Sequence, residues 1–349
     1  MKKYLFILLL FPALAYSDYL TASRTVIIRK TPDRGSDSVF KAKKGDTLIL
    51  VNDAKENGYY NVKAFHNSKK GWIYKTFVRR FKGTPEIEKP LAADSSSPSF
   101  KGLPKSTSDK SSFTVLNNIG YLVGYSEFYK NPLWAAYRLF KVGNPKSFPR
   151  LKRFKTDNRT ISKISHDDYT NSGYDRGHMA PNSAICTRYG EEAQKETFFM
   201  SNICPQCPGC NEETWEAFER VEADKYANEF EEIWSVDGPI FSKNPENLSC
   251  GVAIPEKFYK IIADEDEDGN VFMLGIIMDQ STKGQHQVKE FIATVDSIET
   301  LTGLDFFSEL PDSIEKTVES SLPENETWDL NQDLNPTFHV KEQIKACKK

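Results

Sequence analysis

A segment rich in proline, serine, lysine and aspartate divides this chain of 349 residues into two parts that must fold separately. It runs from Gly83 to about Ser112 and includes the stretches AADSSSPS and KSTSDKSS. A segment with so few apolar residues cannot form a packed core, so this composition predicts a flexible linker over residues 83–112. We therefore expect a small domain before the linker and a larger one after it, over residues 113–349.

The part before the linker is patterned as short β-strands. The runs VIIRKTPD, SVFKAKKGDTLILV, GYYNVKAF and KKGWIYKTFVRRF are rich in β-branched and aromatic residues and are separated by turn residues. Five or so such strands predict a small all-β barrel. The same runs resemble a bacterial SH3 domain over residues 18–82, and that resemblance implies binding to cell-wall peptide or to a protein. Groove candidates are Tyr59, Tyr60, Trp72 and Tyr74, at least half of which are expected in the core.

The N-terminus MKKYLFILLLFPALAYS has the features of a secretory signal peptide over residues 1–17. Two lysines precede an apolar run from Tyr4 to Leu14, and Ala15-Tyr16-Ser17 provides a small-x-small cleavage site. The apolar run is short for a bilayer-spanning helix, although an uncleaved anchor is the alternative. No other stretch approaches membrane length. The sequence thus predicts a secreted or periplasmic protein without an integral membrane segment in its mature form.

The cysteines allow two interpretations. They are Cys186, Cys204, Cys207, Cys210, Cys250 and Cys347. An even number in an exported chain favours disulfides, whereas the spacing of Cys204, Cys207 and Cys210 also suits zinc, with Cys186 as a fourth ligand. Among disulfides, a Cys250–Cys347 pair is favoured because it would tie the C-terminal tail to the domain. The connectivity stays open.

The stretch DRGHMAPNSA contains the first candidate catalytic residues of the larger domain. A neutral imidazole at His178 can accept a proton from water near neutral pH. The guanidinium of Arg176 can neutralise phosphate oxygens, and Gly177 between them permits close approach of backbone and ligand. These residue types together indicate chemistry on phosphate.

A second group of candidates begins at Asn211, in an acidic stretch with strong helical character. The amide oxygen of Asn211 is a hard ligand of the kind that suits Mg²⁺. Asn211, Trp215 and Glu219 follow one another in steps of four, which predicts one stripe on a helix spanning residues 211–232. Its charged solvent face is expected to hold Glu212, Glu213, Glu216, Arg220, Glu222 and Lys225.

These motifs together resemble the DNA/RNA non-specific endonuclease family. DRGHMAPNSA, FFMSNICPQ and Asn211 with Glu219 occur in the family's order, and the likeness continues through VDGPIF, IPEKFYKII and TVDSIETLTGLDFFSELPD. It covers residues from about 113 to 347. The resemblance implies an α+β fold in which a ββα-metal finger sits on an α/β sandwich, here preceded by the small SH3-like barrel.

The resemblance also implies a role for each candidate. His178 would be the general base that activates water, Asn211 would bind one hydrated Mg²⁺, for which Mn²⁺ can substitute, and Glu219 would position the metal's waters. Arg176 would clamp the scissile phosphate. The products would carry 5′ phosphates, and cleavage of both DNA and RNA without strong sequence preference is implied.

A second phosphate clamp is expected in a basic segment upstream. The net charge of −3 gives no global attraction to nucleic acid, so binding must depend on local patches. In the family an arginine stands just before the equivalent of Phe154-Lys155-Thr156-Asp157; here the aligned residue is Lys152. The candidate cations in this segment are Arg150, Lys152, Arg153 and Lys155. Whether Lys152 or a neighbouring arginine, Arg150 or Arg153, is the second clamp stays open, and Lys155 is expected to contact the substrate.

Two other function classes are compatible with parts of the sequence. One is a wall- or protein-binding module fused to a catalytically idle, disulfide-stapled interaction domain. The other is an adaptor held by zinc at Cys204, Cys207 and Cys210. The presence of His178, Arg176, Asn211 and Glu219 together favours the exported Mg²⁺-dependent nuclease over both.

Overall fold

The structure is a computed structural model that describes residues 18–64, 69–82, 97–266 and 269–336. The chain divides into two compact units, Met1–Ala92 and Ala93–Lys349. The predicted signal peptide lies outside the described residues. Within those residues, no helix is both long enough and apolar enough to cross a membrane.

The first unit is one antiparallel sheet of seven strands, in the order β3-β2-β6-β5-β4-β1-β7. Inward residues alternate with outward ones along its strands, and Leu20, Ile28 and Val62 form part of its core. Among the groove candidates only Tyr60 is buried, while Tyr59 and Tyr74 pack edge to face with ring centroids 5.0 Å apart. The strands are β1 Tyr19–Ala22, β2 Val26–Arg29, β3 Ser38–Ala42, β4 Thr47–Glu56, β5 Tyr59–Ala64, β6 Lys70–Tyr74 and β7 Val78–Phe81.

The second unit is a mixed α/β fold built on a seven-stranded antiparallel sheet, in the order β18-β16-β15-β14-β11-β10-β9. The alternating runs IWSVDGPIF, VAIPEKFYKIIAD and NVFMLGIIMD predict core strands, and they correspond to its adjacent strands β14, β15 and β16. The strands of this unit are β8 Lys105–Ser106, β9 Thr114–Asn118, β10 Tyr121–Ser126, β11 Asn131–Phe140, β12 Asp175–His178, β13 Ile203–Gln206, β14 Glu232–Ile240, β15 Lys257–Glu265, β16 Val271–Asp279, β17 His286–Gln287, β18 Ile292–Ala293, β19 Leu304–Asp305 and β20 Asp333–Leu334.

One helix of the second unit is a composite that alternates between π and α geometry. Cys210–Trp215 and Val221–Tyr226 are π-helical, and they flank α3 Glu216–Arg220 and precede α4 Ala227–Glu229. We call Cys210–Glu229 the composite helix. The other helices are α1 Asn182–Tyr189, α2 Glu191–Thr197, α5 Val295–Thr302, α6 Asp312–Ser320 and α7 Asn325–Trp328. The sequence predicts a helix beginning near Val295, and α5 confirms it.

Both faces of the large sheet are buried. Successive residues of a strand point to opposite sides, so each central strand contributes side chains to two separate cores. On one face Tyr137 and Leu139 pack with Trp215 and Phe218 of the composite helix. On the other, Trp134 packs in a core that includes residues of α5. The sheet is therefore the central layer of a sandwich, with the composite helix on one side and α5 on the other.

The described part of the predicted linker, residues 97–112, is ordered against the second unit. Phe100 is 2 % exposed and packs against Trp234 with ring centroids 5.2 Å apart. The β8 strand pairs with β19. Aromatic packing, strand pairing and hydrogen bonds such as that from Ser111 Oγ to the carbonyl oxygen of Gly303 thus hold a segment whose composition alone suggested flexibility.

Candidate active site

The DRGH tetrapeptide is strand β12, and it pairs antiparallel with β13 just before the composite helix begins. Gly177 lies opposite Cys204 and His178 opposite Ile203. A Cβ atom on Gly177 would lie 2.1 Å from Oε1 of Gln206. The glycine is therefore needed for packing against Gln206, and its role in the approach of a ligand stays a prediction. The two strands and the helix fix the positions of His178 and Asn211 in the fold.

The imidazole of His178 is buried between two aromatic rings. It is 7 % exposed, with ring centroids 5.3 Å from Phe154 and 5.4 Å from Phe198. Burial lowers the pKa of His178 to about 3, and the positive charge of Arg150 acts in the same direction. Its Nε2 is buried and has no hydrogen-bond partner among the described residues. The ring is neutral at pH 7 and keeps one nitrogen unsatisfied.

Asn211, the predicted metal ligand, lies in the first turn of the composite helix and is held by an aspartate of β12. Its Nδ2 donates a 2.9 Å hydrogen bond to Oδ2 of Asp175. Because a carboxylate accepts hydrogen bonds, this contact identifies the amide atom facing Asp175 as Nδ2. The amide oxygen Oδ1 therefore points elsewhere, and no hydrogen-bond donor contacts it within the described residues. A partly exposed, oriented amide oxygen beside a carboxylate fits a hard cation such as Mg²⁺.

Glu219 lines a cleft of about 250 Å³ between the composite helix and α1. Pro181, Thr187 and Arg188 line the same cleft. Desolvation raises the pKa of Glu219 to about 8, nearby carboxylates add to the rise, and Lys260 opposes it. The cleft thus contains a carboxyl group that can change its charge close to neutral pH.

The predicted stripe of Asn211, Trp215 and Glu219 is altered by the π-helical turn. Trp215 is 1 % exposed and packs in the core, whereas the residues at either end of the stripe are partly exposed. A π-helical turn contains more residues than an α-helical one, so steps of four no longer lie exactly above one another. The helix also ends at Glu229, shortly before Glu231 takes a φ of 69°.

Glu222 was expected on the solvent face of this helix, and that prediction is wrong. Its side chain is fully buried, and Oε2 accepts a 2.8 Å hydrogen bond from Nζ of Lys260. Lys260 also donates to Asp237 and, at 2.9 Å, to the hydroxyl of Tyr137. Two buried acids thus share one buried lysine beneath the composite helix, and burial raises the pKa of Asp237 to about 7.

Arg176 does not point freely into a phosphate site. Its Nε and Nη2 donate to the carbonyl oxygen of His166 at 3.1 and 2.6 Å, and Nη2 also donates to Thr170 at 3.2 Å. The guanidinium lies 5.8 Å from the ring centre of Tyr169. These contacts anchor the loop before β12, and Nη1 is the nitrogen left for a ligand.

The four candidate cations of the basic segment have different surroundings. Nη2 of Arg153 donates to both carboxylate oxygens of Asp167, at 2.9 and 2.8 Å, and the side chains of Lys152 and Lys155 are exposed. Arg150 lies 5.6 Å from the ring centre of Phe198, which itself contacts His178. Because its charge lowers the pKa of that imidazole, Arg150 is the candidate linked most directly to His178.

The described contacts place Asn211, His178 and Glu219 in three separate groups. Asn211 contacts Asp175, and His178 is linked to Arg150 through Phe198. Glu219 belongs with the cleft, which also includes Pro181, three residues after His178. Asp175 is the partner to which the sequence analysis gave no role, whereas Arg150 was already among the candidate cations. The available signal for Asp175 was its place as the first residue of DRGH.

The predicted Cys250–Cys347 disulfide is not formed, because Cys250 is a free thiol that lies 3.9 Å from the carbonyl oxygen of Asp168. Its predicted partner lies outside the described residues. Cys207 is disulfide-bonded, whereas Cys186, Cys204 and Cys210 are free. Burial raises the pKa of Cys210 to about 12, so it stays a thiol. A zinc site that uses Cys207 and Cys210 as thiolates is therefore disfavoured.

Comparison with known proteins identifies the family. Residues 101–313 match the model of the DNA/RNA non-specific endonuclease family. The chain belongs to this family. Among relatives, a mitochondrial nuclease EXOG from Danio rerio is 29% identical over 232 residues, which are 60% of this chain and 64% of the relative. A nuclease from a Nostoc strain is 28% identical over 58% of this chain and 76% of its own length.

The fold also resembles that of a chain in a solved structure. A crystal structure of the EndoG/EndoGI complex, described as showing the mechanism of EndoG inhibition, contains a chain that is 25% identical with a TM-score of 0.53. The match covers 62% of this chain and 91% of that one. It is consistent with the second unit being the part that carries the family fold.

Proposed function

We propose that this chain is an exported, Mg²⁺-dependent endonuclease that hydrolyses phosphodiester bonds of DNA and RNA and leaves 5′ phosphates. The observation that carries the proposal is the neutral, buried His178 with an unsatisfied ring nitrogen, in a chain of this family. Only a neutral imidazole can accept a proton from the attacking water. We interpret β12, β13 and the composite helix as a ββα-metal finger.

The low pKa of His178 is compatible with a base because the substrate changes its surroundings. A phosphate between Arg150 and the imidazole brings negative charge close to the ring, and negative charge raises the pKa of a histidine. It also screens the guanidinium that holds the pKa down. The basicity of His178 therefore increases when substrate is bound.

Asn211 and Glu219 are the residues suited to a bound Mg²⁺. The Oδ1 of Asn211 would be a direct ligand, its orientation fixed by the hydrogen bond to Asp175, and ionised Glu219 would orient waters around the site. The ion would supply charge stabilisation for the phosphoryl oxygens and the departing 3′ oxygen. The chain's own contribution is to fix the amide and to exclude bulk water from the imidazole.

Little base preference is expected at such a site. Its groups are suited to phosphate and to water, and contacts with phosphate and sugar carry no direct sequence information. Binding is expected to weaken as salt increases, because the attraction comes from local cations such as Arg150 and Lys152.

The experiment uses the mature chain with supercoiled plasmid and with single-stranded RNA, in Mg²⁺ and in EDTA. We expect both substrates to be degraded in Mg²⁺ to fragments that a phosphatase can dephosphorylate at the 5′ end, and neither to be cut in EDTA. Undiminished cleavage in chelator would contradict the proposal.

For the first unit we propose a tethering role as an SH3-like domain that binds cell-wall peptide or a protein. The half-exposed rings of Tyr59, Trp72 and Tyr74 support it, because neighbouring aromatic rings suit peptide grooves. Co-sedimentation of the full chain with purified wall material tests the wall-binding form. Trp72→Ala should release the chain, and unchanged sedimentation of that variant would contradict it.

A further inference from the structure

Three carboxylates from two helices converge on the face of the large sheet opposite the composite helix. Asp296 and Glu299 lie three residues apart on α5, and therefore on one side of it. Glu319 comes from α6. One oxygen from each of the three carboxylates lies within 4.8 Å of the other two. Such an arrangement of like charges is unfavourable unless something positive or a proton compensates it.

Glu319 is the unusual member of this carboxylate cluster. Its side chain is 4 % exposed, and Oε1 is buried with no hydrogen-bond partner among the residues that the structure describes. A buried carboxylate without a partner is costly. Burial raises the pKa of Glu319 to about 9, and the largest charge effects on it come from other acids, Glu299 first. The surroundings therefore add negative charge to a group that already lacks water.

Glu299 is held in place by the backbone. Its Oε1 accepts a 2.7 Å hydrogen bond from the amide of Phe306. That bond fixes the carboxyl group while its second oxygen remains for a ligand. Asp296 is exposed, so the cluster opens to water on that side. A fixed ligand, a buried ligand and an opening to solvent are the elements of a cation site that completes its coordination with water.

We propose that Asp296, Glu299 and Glu319 bind one divalent cation of the calcium class, at a site separate from the active site. Calcium takes oxygen ligands at 2.3–2.6 Å, so two ligands of one ion lie no more than about 5.2 Å apart, which accommodates the 4.8 Å limit of this cluster. Calcium also accepts carboxylates in a flexible coordination geometry, whereas Mg²⁺ requires a near-ideal octahedron and retains several of its waters. The ion links α5 to α6 and neutralises the buried charge of Glu319.

The site is independent of the proposed nuclease chemistry. Val295 and Ile298 of α5 pack in the core of one sheet face, whereas Trp215 and Phe218 of the composite helix pack in the core of the other. Loss of calcium binding would leave the nuclease proposal untouched, and loss of nuclease activity would leave this one untouched.

Calorimetric titration of CaCl₂ into the full chain carrying Asn211→Ala tests the proposal, because that substitution removes the ligand proposed for the active site. We expect one calcium ion per chain. Adding Glu319→Gln, which removes the charge but keeps the shape, should weaken binding at least about tenfold, since a ligand and its charge are lost. Adding the control Glu309→Gln, at an exposed glutamate outside the cluster, should leave binding unchanged. No calcium binding, or equal binding with and without Glu319, would overturn the proposal.

Thermal unfolding supplies a second readout in the otherwise unchanged chain. Calcium should raise the Tm of the parent chain and of Glu309→Gln, but not that of Glu319→Gln. Asp296→Asn, at an exposed position, should reduce the calcium effect without risk to the core. The rival account is that Glu319 simply stays protonated. It predicts a Tm that is independent of calcium and falls as pH rises towards 9, and that result would also overturn the proposal.

Discussion

Asp175 holds the amide of Asn211 through a 2.9 Å hydrogen bond from Nδ2 to Oδ2. This contact joins the first residue of β12 to the first turn of the composite helix. It leaves the amide oxygen as the atom available to a cation. The orientation of the proposed metal ligand thus depends on a residue of the DRGH motif that performs no chemistry itself.

Replacing Asp175 with alanine should therefore weaken metal binding more than it slows the chemical step. Loss of a residue that orients a metal ligand typically costs about 10–100-fold in metal affinity or activity. We expect the Mg²⁺ concentration for half-maximal plasmid cleavage to rise by about that factor, with much of the rate recovered at high Mg²⁺. The control is Asp109→Ala, at an exposed aspartate of the 3₁₀ turn Asp109–Ser111. Equal Mg²⁺ dependence of both variants would refute the positioning role.

Alanine substitutions should rank the candidate cations of the basic segment. Arg150→Ala should reduce kcat most, because this guanidinium is linked to His178 through Phe198. Arg153→Ala should cost less, since Arg153 is engaged by Asp167. In NMR titrations, loss of Arg150 should also raise the pKa of His178. If Lys152→Ala slows cleavage more than Arg150→Ala does, the aligned lysine is the second clamp instead.

Cleavage should require a pH high enough to ionise the Glu219 carboxyl group. Its pKa is raised from 4.5 to about 8, so the carboxylate is fully present only above that pH in the metal-free chain. Cleavage at low Mg²⁺ should increase as pH rises towards 8, and the midpoint should move down as Mg²⁺ increases, because a cation favours the ionised form. Glu219→Gln should remove this limb of the pH profile. A limb that persists in the variant belongs to another group.

The raised pKa of Glu219 also affects folding stability, which should decrease as pH rises, whereas cleavage should increase. A carboxyl group whose pKa is higher in the folded than in the unfolded state favours folding at low pH and loses that contribution as pH rises from about 4.5 to 8. Glu219→Gln should therefore be more stable than the parent chain at pH 8 and above, and similar to it at pH 4. Urea unfolding at the two pH values measures the difference.

The buried lysine beneath the composite helix should be essential for folding stability. Lys260→Met leaves Glu222 and Asp237 buried without their cation, and breaking a buried ion pair costs about 3–5 kcal/mol. We expect a loss of that size in the free energy of unfolding from urea titrations. Adding Glu222→Gln and Asp237→Asn to Lys260→Met should restore much of it. Failure of the combined variant to regain stability would argue against a charge effect.

Local patterns in the sequence predicted much of the fold. Apolar runs located strands β14, β15 and β16, and the start of the composite helix was predicted within one residue, at Asn211 rather than Cys210. Pairings between distant segments could not be predicted in the same way. Glu222 appeared solvent-facing because its partner Lys260 is brought beneath the helix by β15, where it lies directly opposite Asp237 of β14.

In the candidate site, too, residues within contiguous motifs were predictable and contacts between distant segments were not. Its residue types were recognisable from DRGH and from Asn211, because those stretches are contiguous. The anchoring of Arg176 by the carbonyl of His166 and the link of Arg150 to His178 depend on how loops close, which no local pattern encodes. Likewise the ordered segment around Phe100 depends on a distant partner, Trp234.

The central claim is that the imidazole of His178 takes the proton from the attacking water. The most direct measurement compares the rates at which the parent chain and His178→Ala nick supercoiled plasmid in saturating Mg²⁺, with the circular dichroism spectra of both recorded to establish folding. The account predicts an intact spectrum and a rate reduced by at least about 100-fold, the usual contribution of general base catalysis. A folded His178→Ala that nicks the plasmid at the parent rate would contradict it.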